Sequence, residues 1–242
     1  MHYTTSITHH VRATALRTVA FVAPFAAAVA CSGDTTAPSA TAGRAARALD
    51  PRDASPTEAG PKIAFEADDR GYSHIFTVNP DGTGLKRVTK GHVGNSQPAW
   101  SPDRQQIAFA STRITGTSFG LYVMSANGQN IRQIMSCLPS CTFPSWSPDG
   151  TGIAFLQGIA SNPHMLRVQS LVDGVPQGPP SVLAENVTES GRPRWSPDNS
   201  EIAVVAEGDD GQTDVYAVPA GGGEPRRITN TAAKELLPSW AQ

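Results

Sequence analysis

The sequence predicts an all-β protein: a β-propeller of four four-stranded blades, its ring closed by the C-terminal strand pairing with the first blade. Three observations predict it. First, Trp100, Trp146, Trp195 and Trp240 recur at spacings of 46, 49 and 45 residues, and apolar runs beginning at Ile63, Ile107, Ile153 and Ile202 recur at 44, 46 and 49. A mid-forties period of short strands and turns corresponds to one propeller blade per repeat. Second, Ser101-Pro102-Asp103, Ser147-Pro148-Asp149-Gly150 and Ser196-Pro197-Asp198 follow three of the tryptophans and have the composition of type I turns. Third, the Ile-Ala element comes first and the Trp element last, so the repeat is cut out of phase at the two ends.

In chain order, residues 1–30 read as an export signal. Arg12 and Arg17 form its positive region, and the twelve apolar residues from Val19 to Ala30 are too few to span a bilayer but suit a signal core. Ala28-Val29-Ala30 places small residues directly before Cys31. This resembles a bacterial lipobox, with Ala28 where Leu is usual; the same Ala-x-Ala also suits ordinary signal peptidase. Cysteine arithmetic favours lipidation of Cys31. Of three cysteines, Cys137 and Cys141 lie five positions apart inclusively in one loop and are expected to pair in an oxidising envelope, leaving Cys31 over. So small a ring is worth about 2 kcal/mol by loop entropy; two free thiols are the alternative. Residues 31–60 contain almost no large apolar side chain and read as a flexible tether, which with the anchor implies a periplasm-facing outer-membrane lipoprotein.

Residues 61–242 read as the propeller. In the second repeat the four strands are expected at 97–100, 106–111, 120–125 and 131–135. The middle two are apolar throughout (Ile107-Ala108-Phe109-Ala110 and Leu121-Tyr122-Val123-Met124), as strands buried on both faces must be. The fourth strands (Leu85-Lys86-Arg87-Val88, Ile131-Arg132-Gln133-Ile134, Arg226-Arg227-Ile228) are more polar and belong at the rim, with the Trp strands nearest the axis. The chain enters at the second strand of blade one, 62–66, and 237–240 is a lone inner strand. It is expected to complete blade one beside Ile63-Ala64-Phe65 and so remove exposed sheet edges; an open array pairing with a second copy is the alternative.

Composition excludes other classes. Nineteen basic against 21 acidic residues give a net charge of −2, without the basic face of a nucleic-acid binder. Twenty-two Gly and 20 Pro interrupt every stretch long enough for an amphipathic helix.

Pro98-Ala99-Trp100-Ser101-Pro102-Asp103, then Ile107-Ala108-Phe109, then Gly120-Leu121-Tyr122-Val123-Met124-Ser125-Ala126-Asn127-Gly128, resembles the WD40-like propeller repeat of the TolB family, as does the stretch from Ile75 to Leu85. The resemblance covers residues 61–242. It implies a propeller fold. It implies little about function, because similar repeats occur in propeller domains of prolyl-oligopeptidase-like enzymes. The sequence departs from TolB in reading as four repeats where that family has six, without an additional N-terminal domain, and in its expected lipid anchor.

No convincing catalytic constellation emerges, and no cofactor or metal site is expected. The turn aspartates serve backbone N–H groups. Gly116-Thr117-Ser118-Phe119-Gly120 matches G-x-S-x-G but leads into a strand, whereas a nucleophile elbow must open a helix. His74, His92 and His164 stand on three separate segments. The candidate binding surface is the end of the ring carrying the long loops. It holds His92, and it holds Asp68, Asp69, Asp209 and Asp210 on blades that become neighbours if the ring closes; solvated loop acids are the plain alternative. On the axis, the residues before the four tryptophans are Ala99, Ser145, Arg194 and Ser239. Arg194 is the one large member, suited to an anion or a partner carboxylate, or else paired with an acid such as Glu189.

These features favour a non-enzymatic binding or scaffold propeller that engages an envelope protein or glycan through its loop face. The alternative is a propeller lyase or hydrolase acting on glycans. The protein is expected to meet the membrane only through its anchor and to be a monomer, or a dimer if the ring is open.

Overall fold

The computed structural model describes residues 60–158 and 163–241. The export signal, Cys31 and the tether up to residue 59 lie outside the described residues. Among those described there is no helix, and the strands form three antiparallel sheets of three, four and nine strands; the nine-stranded sheet holds the third and fourth blades, joined by a single pair, Val187 with Ala206.

Blade one contains β1 (Ile63–Asp69), β2 (Tyr72–Val78) and β3 (Lys86–Arg87) in that spatial order. Blade two contains β4 (Asn95–Trp100), β5 (Gln106–Ser111), β6 (Gly120–Ser125) and β7 (Arg132–Met135). Blade three contains β8 (Cys141–Trp146), β9 (Gly152–Gln157), β10 (His164–Val172), a short β11 (Val175–Pro176) extending the β10 hairpin, and β12 (Ser181–Val187). Blade four contains β13 (Arg194–Trp195), β14 (Glu201–Glu207), β15 (Thr213–Pro219) and β16 (Arg226–Arg227).

The Ser-Pro-Asp segments make the turns their composition requires. Asp103 Oδ1 accepts hydrogen bonds from Ser101 Oγ (2.5 Å) and the Gln105 N–H (3.0 Å), and Asp149 and Asp198 repeat the arrangement with Ser147 and Thr151, and with Ser196 and Ser200. The serine hydroxyl in turn accepts the N–H that opens the next strand, from Gln106, Gly152 or Glu201. These bonds favour the charged carboxylates. The Ser196 hydroxyl, with the Ser200 N–H and hydroxyl, lowers the Asp198 pKa to about 2, and the Ser101 hydroxyl lowers that of Asp103.

Acid should therefore weaken the fold in two stages. Burial, outweighing the nearby acids, holds His74 and His164 below the ordinary 6.5. The unfolded chain then binds more protons, so stability falls as pH drops below that value. The turn aspartates act lower: their contribution is complete above 3.8 and is lost as pH falls toward the Asp198 value of about 2. Urea midpoints measured from pH 8 to 2.5 should show both stages, with the upper one reduced in His164→Gln. A midpoint constant between pH 7.5 and 5 would rule out the histidine stage.

Strands apolar on both faces bury both faces between blades. Ile75 and Val88 of blade one pack with Ile107, Phe109, Tyr122 and Met124 of blade two. The other face of blade two (Ala108, Ala110, Leu121, Val123, Ile134) packs with Ile153, Phe155 and Leu171 of blade three. Blade three then offers Ala154, Leu156, Leu166 and Leu183 to Ile202, Val204 and Val218 of blade four. Cys137 and Cys141 form a disulfide, Cα atoms 5.5 Å apart, buried in the second of these cores.

Two expectations are corrected. The outer strands of blades one and four are only two residues long, because their charged side chains give the rim little to bury. The larger correction concerns closure. Residues 237–240 form no strand, and among the described residues no pairing and no core cluster joins blade four to blade one. The C-terminal segment lies against blade four instead, where Trp240 Nε1 donates to the carbonyl of Arg194 at 2.9 Å. Among the described residues the blades form an open array, and blade one has three strands.

Candidate functional site

The inner strands share a Pro-x-Trp sequence, and its local geometry shapes the axial surface. Gln97 and Phe143, each before a proline, adopt left-handed φ values of 57° and 53°, and the register with the neighbouring strand slips there in both blades. Each bulge aims a backbone N–H at the blade before it. The Gln97 N–H donates to Glu66 Oε2 (2.5 Å), and the Phe143 N–H donates to Gln97 Oε1 (2.7 Å). A chain of polar contacts thus links blades one, two and three along the axis.

These strands border a groove of about 290 Å³ whose walls include Ala99, Trp100, Ser145 and Trp146 and whose far side is Arg192-Pro193-Arg194. Exposure alternates along the segment that enters β13: Arg192 and Arg194 are exposed and Pro193 is buried. The Arg192 guanidinium sits 4.7 Å from the centre of the Phe143 ring, a cation–π contact that holds one cation over the groove. Arg194 is exposed, and no ion pair with Glu189 or another described acid forms. Ala99 and Ser145 leave the space before it open. Arg192 was missed as a site residue, although its two-residue spacing from Arg194 in an extended segment is the signal that puts both on one face.

The loop acids are placed differently from one another. Asp69 pairs with Arg87 Nη1 at 2.5 Å, and Asp210 pairs with Arg227 Nη1 at 2.7 Å, so each blade uses its own rim arginine to hold its own hairpin. Arg227 also binds Asp214, a fully buried carboxylate that accepts from Thr229 Oγ1 and the Thr231 N–H. Asp68 and Asp209 are exposed. His92 packs edge-on against the Tyr72 ring, centroids 5.3 Å apart. Among the described residues no group of three His, Cys, Asp or Glu side chains is placed to hold a metal ion. Ser118 lies in a tight turn closed by Thr115 Oγ1, which accepts the Ser118 N–H, and β6 follows directly.

A family model described as the TolB beta propeller domain matches residues 54–170 and again 115–242. The chain belongs to that family. Among solved structures this TolB propeller domain is similar to TolB from Acinetobacter baumannii, with TM-score 0.52 and 16% identity over 68% of this chain and 42% of that one. It is also similar to a putative TolB from Agrobacterium tumefaciens, with TM-score 0.52 and 21% identity over 66% and 56%. A puromycin-hydrolyzing peptidase from Mycobacterium tuberculosis gives TM-score 0.57 and 17% identity over 72% and 28%. The chain therefore spans 28% to 56% of the length of these structures. At such identities the likeness establishes the fold alone.

Proposed function

We propose that the protein is a non-enzymatic, lipid-anchored binding propeller of the bacterial envelope, facing the periplasm, which engages a partner presenting carboxylates. The observation that carries this reading is the axial groove, where Arg192 and Arg194 stand on one face and Arg194 has no acidic partner among the described residues. Two guanidiniums beside small residues and tryptophan edges suit a carboxylate-bearing envelope protein or an acidic glycan, since Arg binds carboxylate as a planar, two-pronged donor. The long loops that lead into the inner strands β4 and β8 reach this groove beside Gln97 and Phe143 and supply further contact surface. The same geometry does not favour catalysis. The turn aspartates and Ser118 are held in backbone turns, and Asp69 and Asp210 are neutralised by arginines of their own blades.

The test is crosslinking in intact envelopes, comparing the natural protein with Arg194→Glu and Arg192→Glu. Both variants are expected to lose a captured species at least tenfold. Arg194→Glu should keep its urea midpoint, because exposed substitutions of this kind usually change stability by no more than about 0.5 kcal/mol. Capture that is indifferent to both charge reversals would remove the groove from the reading. Turnover of a glycan by the purified protein would replace it with the enzymatic alternative.

A further inference from the structure

Blade one carries an unused interface. In blades two, three and four the leading face is buried against the preceding blade: Ile107, Phe109, Ile153, Phe155, Ile202 and Val204 are all 0–1% exposed. The matching positions of blade one are Ile63 and Phe65, with Val78 and Phe76 opposite them in the ladder. Ile63 is 52% exposed, and the stacked Phe65 and Phe76 rings, 5.7 Å apart, are only half-buried. Among the described residues the sheet of blade one also ends at β1, with no inner strand.

Residues 237–240 are the complementary piece. They are Leu-Pro-Ser-Trp, and Leu237 already has the left-handed φ of 51° seen at Gln97 and Phe143 in the inner strands β4 and β8. Trp240 Nε1 bonds the Arg194 carbonyl just as Trp195 Nε1 bonds the Ser145 carbonyl at 3.1 Å. The segment thus occupies an inner-strand position beside blade four without a sheet to belong to, and Leu237 is 57% exposed. A left-handed φ is unfavourable for a Leu side chain, so the conformation is one that added contacts would offset.

We infer that a second copy of the chain supplies what each end lacks. Residues 237–240 of one copy add to the open edge of β1 in the other, and the trailing side of blade four covers Ile63, Phe65 and Phe76. The register follows from the complete blades, where Trp100 pairs with Ile107, Trp146 with Ile153 and Trp195 with Ile202. Trp240 then stands opposite Ile63, and Ser239 opposite Ala64. Two identical junctions close a two-fold ring of eight blades and leave no inner edge open.

The test uses the full chain carrying Cys31→Ser, with Ala64→Cys and Ser239→Cys added together and joined by oxidation or a short thiol crosslinker. A covalent dimer is the expected product, whereas an internally crosslinked monomer, or no crosslink, would overturn the inference. Light scattering on the chain without the added cysteines checks the result independently of those two substitutions. It should give twice the chain mass, reverting to the single mass in Trp240→Glu. A single mass for the unsubstituted chain at all concentrations would refute trans pairing.

Discussion

Phe155→Ala is expected to lower the stability of the protein by about 3–5 kcal/mol, the usual cost of emptying a phenylalanine-sized site in a core. Phe155 is fully buried between blades two and three, among Ala108, Ala110, Leu121 and Val123 on one side and the Cys137–Cys141 disulfide near one end. Those neighbours belong to strands locked by ladders on both sides, so they cannot move in to fill the space. A domain of ordinary stability has about 5–15 kcal/mol in total, so the loss is a third or more of it. Urea unfolding should show the midpoint falling with an unchanged slope. Phe65→Ala is the informative companion. It removes the same motif residue from the half-buried face of blade one, and its cost in the separated chain should be less than half as large. If the second copy covers that face, the cost of Phe65→Ala will rise with protein concentration. Equal costs for the two substitutions at low concentration would contradict the burial described for blade one.

That contrast also marks the limit of what the residues disclose. Ile-Ala-Phe occurs at 63–65, 107–109 and 153–155, and each was readable as a second strand. The strands of blade two were legible almost to the residue, because turn chemistry at Ser101-Pro102-Asp103 and two-sided apolar runs bracket them. Burial of the first copy was not legible. A strand apolar on both faces states that it wants two neighbours, not where the second comes from. Closure by residues 237–240 was inferred from the phase of the repeat, but these residues form no strand and meet blade four only through contacts such as that of Trp240 with the Arg194 carbonyl. The phase could not show that they join no sheet, since whether blade four meets blade one depends on packing between blades and is not written in any one of them.

The candidate site divides along the same line. Arg194 stood out because three small residues share its position, a comparison internal to the repeat. Arg192 did not, since its role depends on Phe143, an inner-strand residue of the preceding blade. The paired aspartates of the hairpins suggested a shared acidic face. One of each pair, Asp69 and Asp210, instead meets a rim arginine 18 or 17 residues later in its own blade, a local pairing that the polar outer strands Lys86–Arg87 and Arg226–Arg227 carried in plain sight.

Gly128→Ala should cost about 2–5 kcal/mol, although it adds only one methyl group to a surface turn. Gly128 closes the turn between β6 and β7, its N–H donating to the Ser125 carbonyl at 2.8 Å, with a φ of +87°. A side chain there meets two penalties. The left-handed backbone costs roughly 1–2 kcal/mol for an L-residue. The new Cβ would also collide with the carbonyl oxygen of Val88 and stand 3.0 Å from its Cα, at the point where blade two rests on the outer edge of blade one. Val88 cannot retreat: its N–H donates to the Ile75 carbonyl at 2.9 Å, its side chain lies in the core between the two blades, and Thr89 Oγ1 holds the Ile75 N–H. Overpacking against fixed backbone adds about 1–3 kcal/mol. Gly82→Ala separates the two terms. Gly82 closes the corresponding turn of blade one with a φ of +83°, but nothing lies within 4 Å of where its Cβ would be. It should incur the backbone cost alone. The difference between the two urea-derived stabilities then measures how rigidly blade two is seated on blade one. If Gly128→Ala proves no worse than Gly82→Ala, the blades are free to shift against each other, and the rigid spacing that an eight-blade ring requires would be lost with it.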